Sequence, residues 1–396
     1  MAAEIDLFYY DAGSGHWMAA TALETVIRRQ GLDWRLRFVN LQELFDPIDV
    51  LRRTTGIRIQ DFYNRMLQSG RTLGAGALLK LLHWTIRAYH AQQLRLLEEF
   101  WKRQAPDMVV SLIPHFNRAL CEAYAAVCPG RPFVTILTDL ADYPPHFWIE
   151  PQDQWVICGS RRAVEQARSI GVPEKKIRRV SGMILRPEFY EEPEVDRAAE
   201  RRRLGLEPDR PTGLLLFGGQ GSAAMVGTFR RLATAGLPVQ LIAVCGRHRK
   251  LAGALRRAAG DLPLHVEGYT QRMPYYMKLS DFLIGKPGPG SLSEAAAMKL
   301  AVIVERNAST LPQERFNADW VREQGFGIVV RSFRREIGEA VGRLLEPGEL
   351  ERRRRAAARI ENRAVFEIAE ILAEVLGETG GGSRSRRTPG ASPGPG

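Results

Sequence analysis

Cysteine is scarce. The four present in 396 residues, Cys121, Cys128, Cys158 and Cys245, are too few and too scattered for a disulfide framework. A reducing compartment is the expectation. No zinc-ligand spacing or RNA-binding signature occurs, so nucleic acid is not an expected partner. No Asp-x-Asp pair occurs either, and no metal or other cofactor is expected. The opening MAAEIDLFYYDAG has no basic n-region and no long apolar h-region, so no signal peptide is expected. No apolar run reaches bilayer length; the nearest, Gly74 to Trp84, is broken by Lys80. Acidic charge is in deficit, 45 residues against 56 basic ones, for a formal charge of +11. That excess favours anionic partners such as a nucleotide or an anionic lipid surface.

The chain does have length enough for two or three cores. Short apolar runs alternate with helical periodicity. They predict strands at Ile5–Tyr10, Leu36–Leu41, Met108–Leu112, Phe133–Leu137 and Trp155–Cys158. After a stretch rich in proline and charge, the pattern restarts at Thr212–Phe217, Val239–Val244, His265–Tyr269, Asp281–Gly285 and Ala301–Val304. Such alternation predicts an α/β protein with mainly parallel sheets and helices on both faces. The boundaries read as a first domain over 1–182, a linker over 183–211 and a second domain over 212–360. A helix follows over 361–377, free to pack back on the first domain. Residues 378–396 form a Gly, Ser, Arg and Pro tail expected to be disordered.

In such sheets ligands gather at the carboxyl ends of the strands. The first strand runs into Asp11-Ala-Gly13-Ser-Gly15-His16, a glycine-rich turn before a helix. His115, Asp139, Asp142 and His146 also follow predicted strands, with Trp148 close behind. Together they are candidates for one wall of a cleft, although each alone is more often a plain loop residue. Between Leu51 and Arg103 ten basic residues face three acidic ones, interleaved with Trp84, Tyr89 and many leucines. That pattern suits an interfacial segment on an anionic membrane; a core helix with a solvated basic face fits it equally well.

The most informative stretch is IGKPGPGSLSEAAAMKLAVIVERNASTLPQERFN, Ile284 to Asn317. A strand breaks into Gly and Pro, and a helix is expected from Ser291. Its N-terminus would hold an anion beside the turn. Glu294, read into the first turn, suits the two hydroxyls of a ribose, and Gln313 and Glu314 offer further hydroxyl binders. Ser291 and Glu294 are also spaced as a capping box, which needs no ligand.

Taken jointly, these motifs resemble the monogalactosyldiacylglycerol synthases and related diacylglycerol glucosyltransferases, themselves similar to the peptidoglycan GlcNAc transferase that makes lipid II. DAGSGH, GGQGS at Gly218–Ser222, VCGRHRKL, GYTQRMPYYM, KPGPGSLSEAAA and LPQERFN carry the resemblance. It is best from Leu214 to Val330 and weaker from Ile5 to Gly182. Two departures stand out: Gln220 replaces an acidic residue, and the usual Pro-Gly-Gln-Glu is shortened to Leu-Pro-Gln-Glu.

The resemblance implies a GT-B fold, two doubly wound Rossmann-like domains with an interdomain cleft, and an inverting UDP-hexose:diacylglycerol transferase. Its implied donor residues are Gly219, Gln220, Gly221, Ser222, Arg247, Tyr269, Gly288, Pro289, Gly290, Ser291, Glu294, Gln313 and Glu314. His16, with Asp11, would lie at the acceptor hydroxyl. Gly13, Gly15, His115, Asp139, His146 and Trp148 would bind the acceptor. Implied partners are a UDP-hexose, diacylglycerol and an anionic membrane surface, with the enzyme peripheral on the cytoplasmic face of the cell membrane. Three other readings stay open. Gly219-Gln-Gly221-Ser-Ala-Ala224 fits an NADP-dependent oxidoreductase, with Arg247 at the end of the next strand. The others are a UDP-sugar 2-epimerase and a non-catalytic relative that binds nucleotide or lipid.

Overall fold

A computed structural model describes residues 2–10, 15–48, 83–144, 146–191, 194–219 and 221–380. The expectations for Asp11, Gly13, Gln220, most of the 51–103 segment and the tail from 381 onward fall outside them. The described residues form two parallel sheets of six strands each.

The first sheet holds β1 (Ala3–Tyr9), β2 (Trp34–Asn40), β3 (Met108–Ser111), β4 (Phe133–Ile136), β5 (Trp155–Cys158) and β6 (Ile177–Arg179). Their spatial order is β2-β1-β3-β4-β5-β6. The chain leaves β1 to one side and returns to its other side at β3, so β1 and β3 flank a switch point. The second sheet holds β7 (Thr212–Leu216), β8 (Gln240–Val244), β9 (Leu264–Glu267), β10 (Phe282–Gly285), β11 (Ala301–Glu305) and β12 (Gly327–Val330), ordered β12-β11-β10-β7-β8-β9. Its switch point lies between β7 and β10.

Most of these strands are apolar on both faces because both faces are covered. Leu214 and Leu216 of β7 pack with Ile242 and Val244 on one side of the sheet. Their alternates Leu215 and Phe217 pack with Leu241 and Ala243 on the other. Each fully buried leucine contributes about 2 kcal/mol of transfer free energy.

Three features differ from the sequence reading. Part of the 183–211 linker is helical: α6 (Arg197–Arg203) follows α1 (Gly15–Arg29), α2 (Leu41–Phe45), α3 (His90–Arg103), α4 (Asn117–Val127) and α5 (Arg161–Ser169). Asp196 caps α6 by accepting from the N–H groups of Ala198 and Ala199. Its Arg201 is buried and donates to Asp281 Oδ2 at 2.8 Å, fastening the segment to the second domain. The last helix, Ala364–Gly380, also runs past Glu378. Its Val365, Ile368, Leu372 and Val375 join Ile5, Leu23 and Ile27 in the core of the first domain. The chain therefore crosses between domains twice. The crossings are tied where Asn362 Nδ2 donates to the Met183 carbonyl at 2.9 Å and Ser181 N–H donates to Glu367 at 2.7 Å. Third, α4 follows β3 although no helix was read there. Among the described residues no helix is long and apolar enough to cross a membrane.

Candidate active site

Two glycine turns lie side by side because the strands that launch them are neighbours. β7 and β10 pair in parallel, Leu216 opposite Gly285. Gly218 to Ser222 follows β7, and Lys286 to Gly290 follows β10. Gly218 and Gly221 have φ of 81° and 68°, and Gly246 after β8 has 58°. A Cβ at Gly221 would overlap the Cys245 carbonyl oxygen, and one at Gly246 the Gly219 carbonyl oxygen. The turns after β7 and β8 thus interlock, with Arg247 N–H donating to Gly219 O at 3.0 Å. Gly246→Ala is expected to cost about 2–3 kcal/mol. Thermal unfolding should show the loss, together with a smaller rise in Tm on adding UDP than in the parent.

The helix after β10 spans Pro289–Ala297, two residues earlier than the sequence reading, with Gly288 as its N-cap. Proline at the first helical position explains the early start. Ser291 is then the third helical residue and Glu294 the sixth, and no side chain caps the end. The capping-box reading is therefore wrong, and Glu294 sits in the second turn. Neither this helix nor the one after Ser222, Ala224–Ala233, carries an acid in its first turn. Both N-termini suit an anion. A Cβ at Gly290 meets nothing within 4 Å, which leaves the approach open.

Burial raises the Glu294 carboxyl to about 7, and the Arg186 guanidinium opposes the shift. Arg186 lies in the stretch that the sequence marks as linker, and no local motif points to it. Both of its terminal nitrogens donate to the Gln271 carbonyl at 3.1 Å, and its plane lies over Phe189. It joins the segment between domains to the loop after β9. Arg186→Ala should weaken UDP binding about tenfold by calorimetry, since it removes the charge-assisted bonds that hold the loop after β9 beside Tyr269. Unchanged affinity would make it a purely structural residue.

Lys286 stands in the KPGPGS motif, where the sequence alone assigns it no role. It is half-buried, and burial lowers its pKa against the pull of Glu314 and Glu305. Glu314 Oε1 lies 3.7 Å from where a Gly288 Cβ would stand. Buried Asn317 holds this corner by donating from Nδ2 to Pro287 O at 2.8 Å. Gln313 shares the short helical turn Pro312–Glu314 with Glu314. On the far side, Arg247 stacks over the exposed ring of Tyr269 at 5.0 Å, making a shelf at the ends of β8 and β9.

The first domain contributes a histidine wall at its own switch point. His16 Nδ1 lies 2.7 Å from the Leu112 carbonyl at the end of β3. A carbonyl only accepts, so Nδ1 carries the hydrogen and Nε2 keeps its lone pair. Thr138 Oγ1 is 3.1 Å from the same Nδ1. Burial lowers His16 to about 4, so the imidazole is neutral at pH 7. Gly15 opens the helix with nothing within 4 Å of a Cβ position.

Next to Thr138, burial raises Asp139 to about 7, and Glu314 of the second domain adds to the shift. The charge of Glu314 is thus felt at Asp139 across the domain boundary. Trp148 was read as an acceptor contact, but it is fully buried. Its indole Nε1 donates to Asp139 Oδ2 at 2.9 Å, and its ring lies 5.9 Å from that of His16. It orients Asp139 from behind. Asp142 accepts from the N–H groups of Trp148 and His146 at 2.7 and 3.1 Å, and burial raises it to about 6. His146 is exposed, while His115 is half-buried beside Phe147. The wall thus brings together His16, His115, Asp139, Asp142 and Trp148. Glycine turns with free helix N-termini sit on one domain, and a neutral imidazole with buried carboxyls sits on the other.

Residues 214–372 match the Glycosyltransferase family 28 C-terminal domain. The chain is 32% identical over 391 residues to monogalactosyldiacylglycerol synthase 1, chloroplastic, of Arabidopsis thaliana, covering 92% of this chain and 70% of that protein. The calicheamicin glycosyltransferase CalG4 superposes with a TM-score of 0.60 at 18% identity, over 98% of this chain and all of its own. A Neisseria meningitidis UDP-GlcNAc 2-epimerase bound to UDP-GlcNAc does so with a TM-score of 0.58 at 14% identity, over 96% of this chain and all of its own. The architecture is GT-B. The chain belongs to the monogalactosyldiacylglycerol synthase family of glycosyltransferases.

Proposed function

We propose that the protein transfers a hexose, galactose or glucose, from a UDP-sugar to diacylglycerol and inverts the anomeric carbon, giving a β-glycosyldiacylglycerol. One observation carries the reading: two glycine turns on adjacent strands, with Glu294 on the helix that follows one of them, stand on the domain joined to a neutral histidine wall.

In this reading the diphosphate lies over the N–H groups of Gly219, Gly221 and Ser222 and of Gly288, Gly290 and Ser291. Glu294 accepts from the ribose hydroxyls, and backbone at Tyr269 meets the base. Gln313 and Glu314 hold the hexose. His16 Nε2 takes the acceptor proton as the new C–O bond forms. Fixed N–H groups and the Lys286 ammonium meet the charge growing on the leaving diphosphate, without a metal. Attack opposite the leaving group turns an α-linked donor into a β-glycoside.

The acceptor follows from the family, whose named members are monogalactosyldiacylglycerol synthases. The basic, aromatic 51–103 segment suits an anionic bilayer, which makes the enzyme a peripheral one on the cytoplasmic face of the membrane. Incubating the full chain with UDP-galactose, UDP-glucose or UDP-GlcNAc and diacylglycerol in mixed micelles tests the reading. Mass spectrometry should find a monohexosyl lipid with one of the first two. Intact UDP binding without any lipid product would favour a binding protein.

A further inference from the structure

His83 and His115 face each other nitrogen to nitrogen. His83 Nε2 lies 2.7 Å from His115 Nδ1, with the rings near perpendicular at 73°. Burial lowers both pKa values, so the two imidazoles are neutral and share one N–H···N bond. His115 has φ of 74°, a left-handed backbone that a histidine adopts only when its surroundings hold it there. Its own N–H donates to the Phe147 carbonyl at 2.6 Å, and its ring packs edge-on to Phe147 at 4.1 Å. Three residues earlier stands Leu112, whose carbonyl selects the His16 tautomer. His83 itself lies in the helical residues 83–88, beside Trp84, which is 68% exposed. The Ile86 carbonyl accepts from Gln93 of α3 at 3.0 Å, which fastens this short stretch to the body of the domain.

We infer that His83 is a positioning residue for His16. It clamps His115, and through the 112–115 peptide it holds the Leu112 carbonyl where His16 needs it. The clamp ties an exposed, aromatic turn of the first domain to the aim of the base. Its functional meaning rests on the role given to His16 above, but its structural part does not.

The test uses the full chain with 15N-labelled histidine. NMR reads the His16 tautomer, assigned by the signal that disappears in His16→Gln. The parent should show hydrogen on Nδ1. His83→Leu should give a mixture of tautomers and a kcat about tenfold lower, with UDP affinity unchanged. His83→Gln, whose amide reaches about as far as Nε2, should restore both. If His83→Leu does not fold, His83→Phe, which keeps the ring packed against His115 and Phe147 but lacks the nitrogen, makes the same comparison. A parental tautomer and kcat in a folded His83→Leu would overturn the inference, as would failure of Gln to restore them. If the parent turns over no UDP-hexose at all, the proposed reaction is wrong. The tautomer signal would still decide whether the clamp exists.

Discussion

His16→Ala is expected to lower kcat about a thousandfold and to leave UDP affinity as it is in the parent. The size follows from losing a positioned general base, worth about 10²–10⁴ in rate. The selectivity follows from geometry. His16 hangs from the β1–β3 switch point of the first domain, whereas the nucleotide turns belong to β7 and β10 of the second. A base with a pKa of about 4 is already neutral at pH 5 and above. Activity therefore should not fall through loss of this base between pH 8 and 5. Single-turnover rates beside calorimetric UDP titrations separate the two quantities. Equal losses in both would reduce His16 to a binding residue.

Glu294→Gln is the second large effect. In the proposed reading two charge-assisted hydrogen bonds to a ribose would become weaker neutral ones, and UDP affinity should fall about tenfold to a hundredfold. The pH dependence is the sharper signature. In the free protein Glu294 titrates near 7, because burial disfavours its charge. Hydroxyl donors favour the carboxylate, so parental UDP affinity should climb from pH 6 to 8, with proton release on binding. The stability sign runs the other way. A folded pKa raised above 4.5 means the contribution of Glu294 to stability is complete below 4.5 and is lost as pH rises through 7. Glu294→Gln should flatten the climb in affinity. A mutant that keeps both its affinity and its pH slope would remove Glu294 from the nucleotide site.

Local signals made much of this legible. Strand, glycine turn and helix follow one another in the chain, so GGQGS and KPGPGS announced their own geometry. Whether the two turns meet depended on strand order, which no single motif contains; it came out because β7 and β10 pair. Residues whose work is done at long range stayed hidden. Arg186 looked like linker until the fold set it beside Gln271 and Glu294. Arg201 looked like one charge in a solvated run, yet it is buried against Asp281. Trp148 offered an aromatic face in the sequence, but in the fold only its buried N–H matters. The Ser291 error was avoidable, since Pro289 already marked the first helical position. His83 and His115 lie 32 residues apart and meet only through a left-handed backbone, which nothing local required.

The most direct test of the central claim is proton NMR of the lipid made from an α-linked UDP-hexose and diacylglycerol. A β-anomeric hexosyl lipid, with one UDP released per sugar transferred, is the expected result. An α-anomer would contradict direct displacement aided by His16. Release of an epimerised sugar, with the diacylglycerol untouched, would contradict transfer itself.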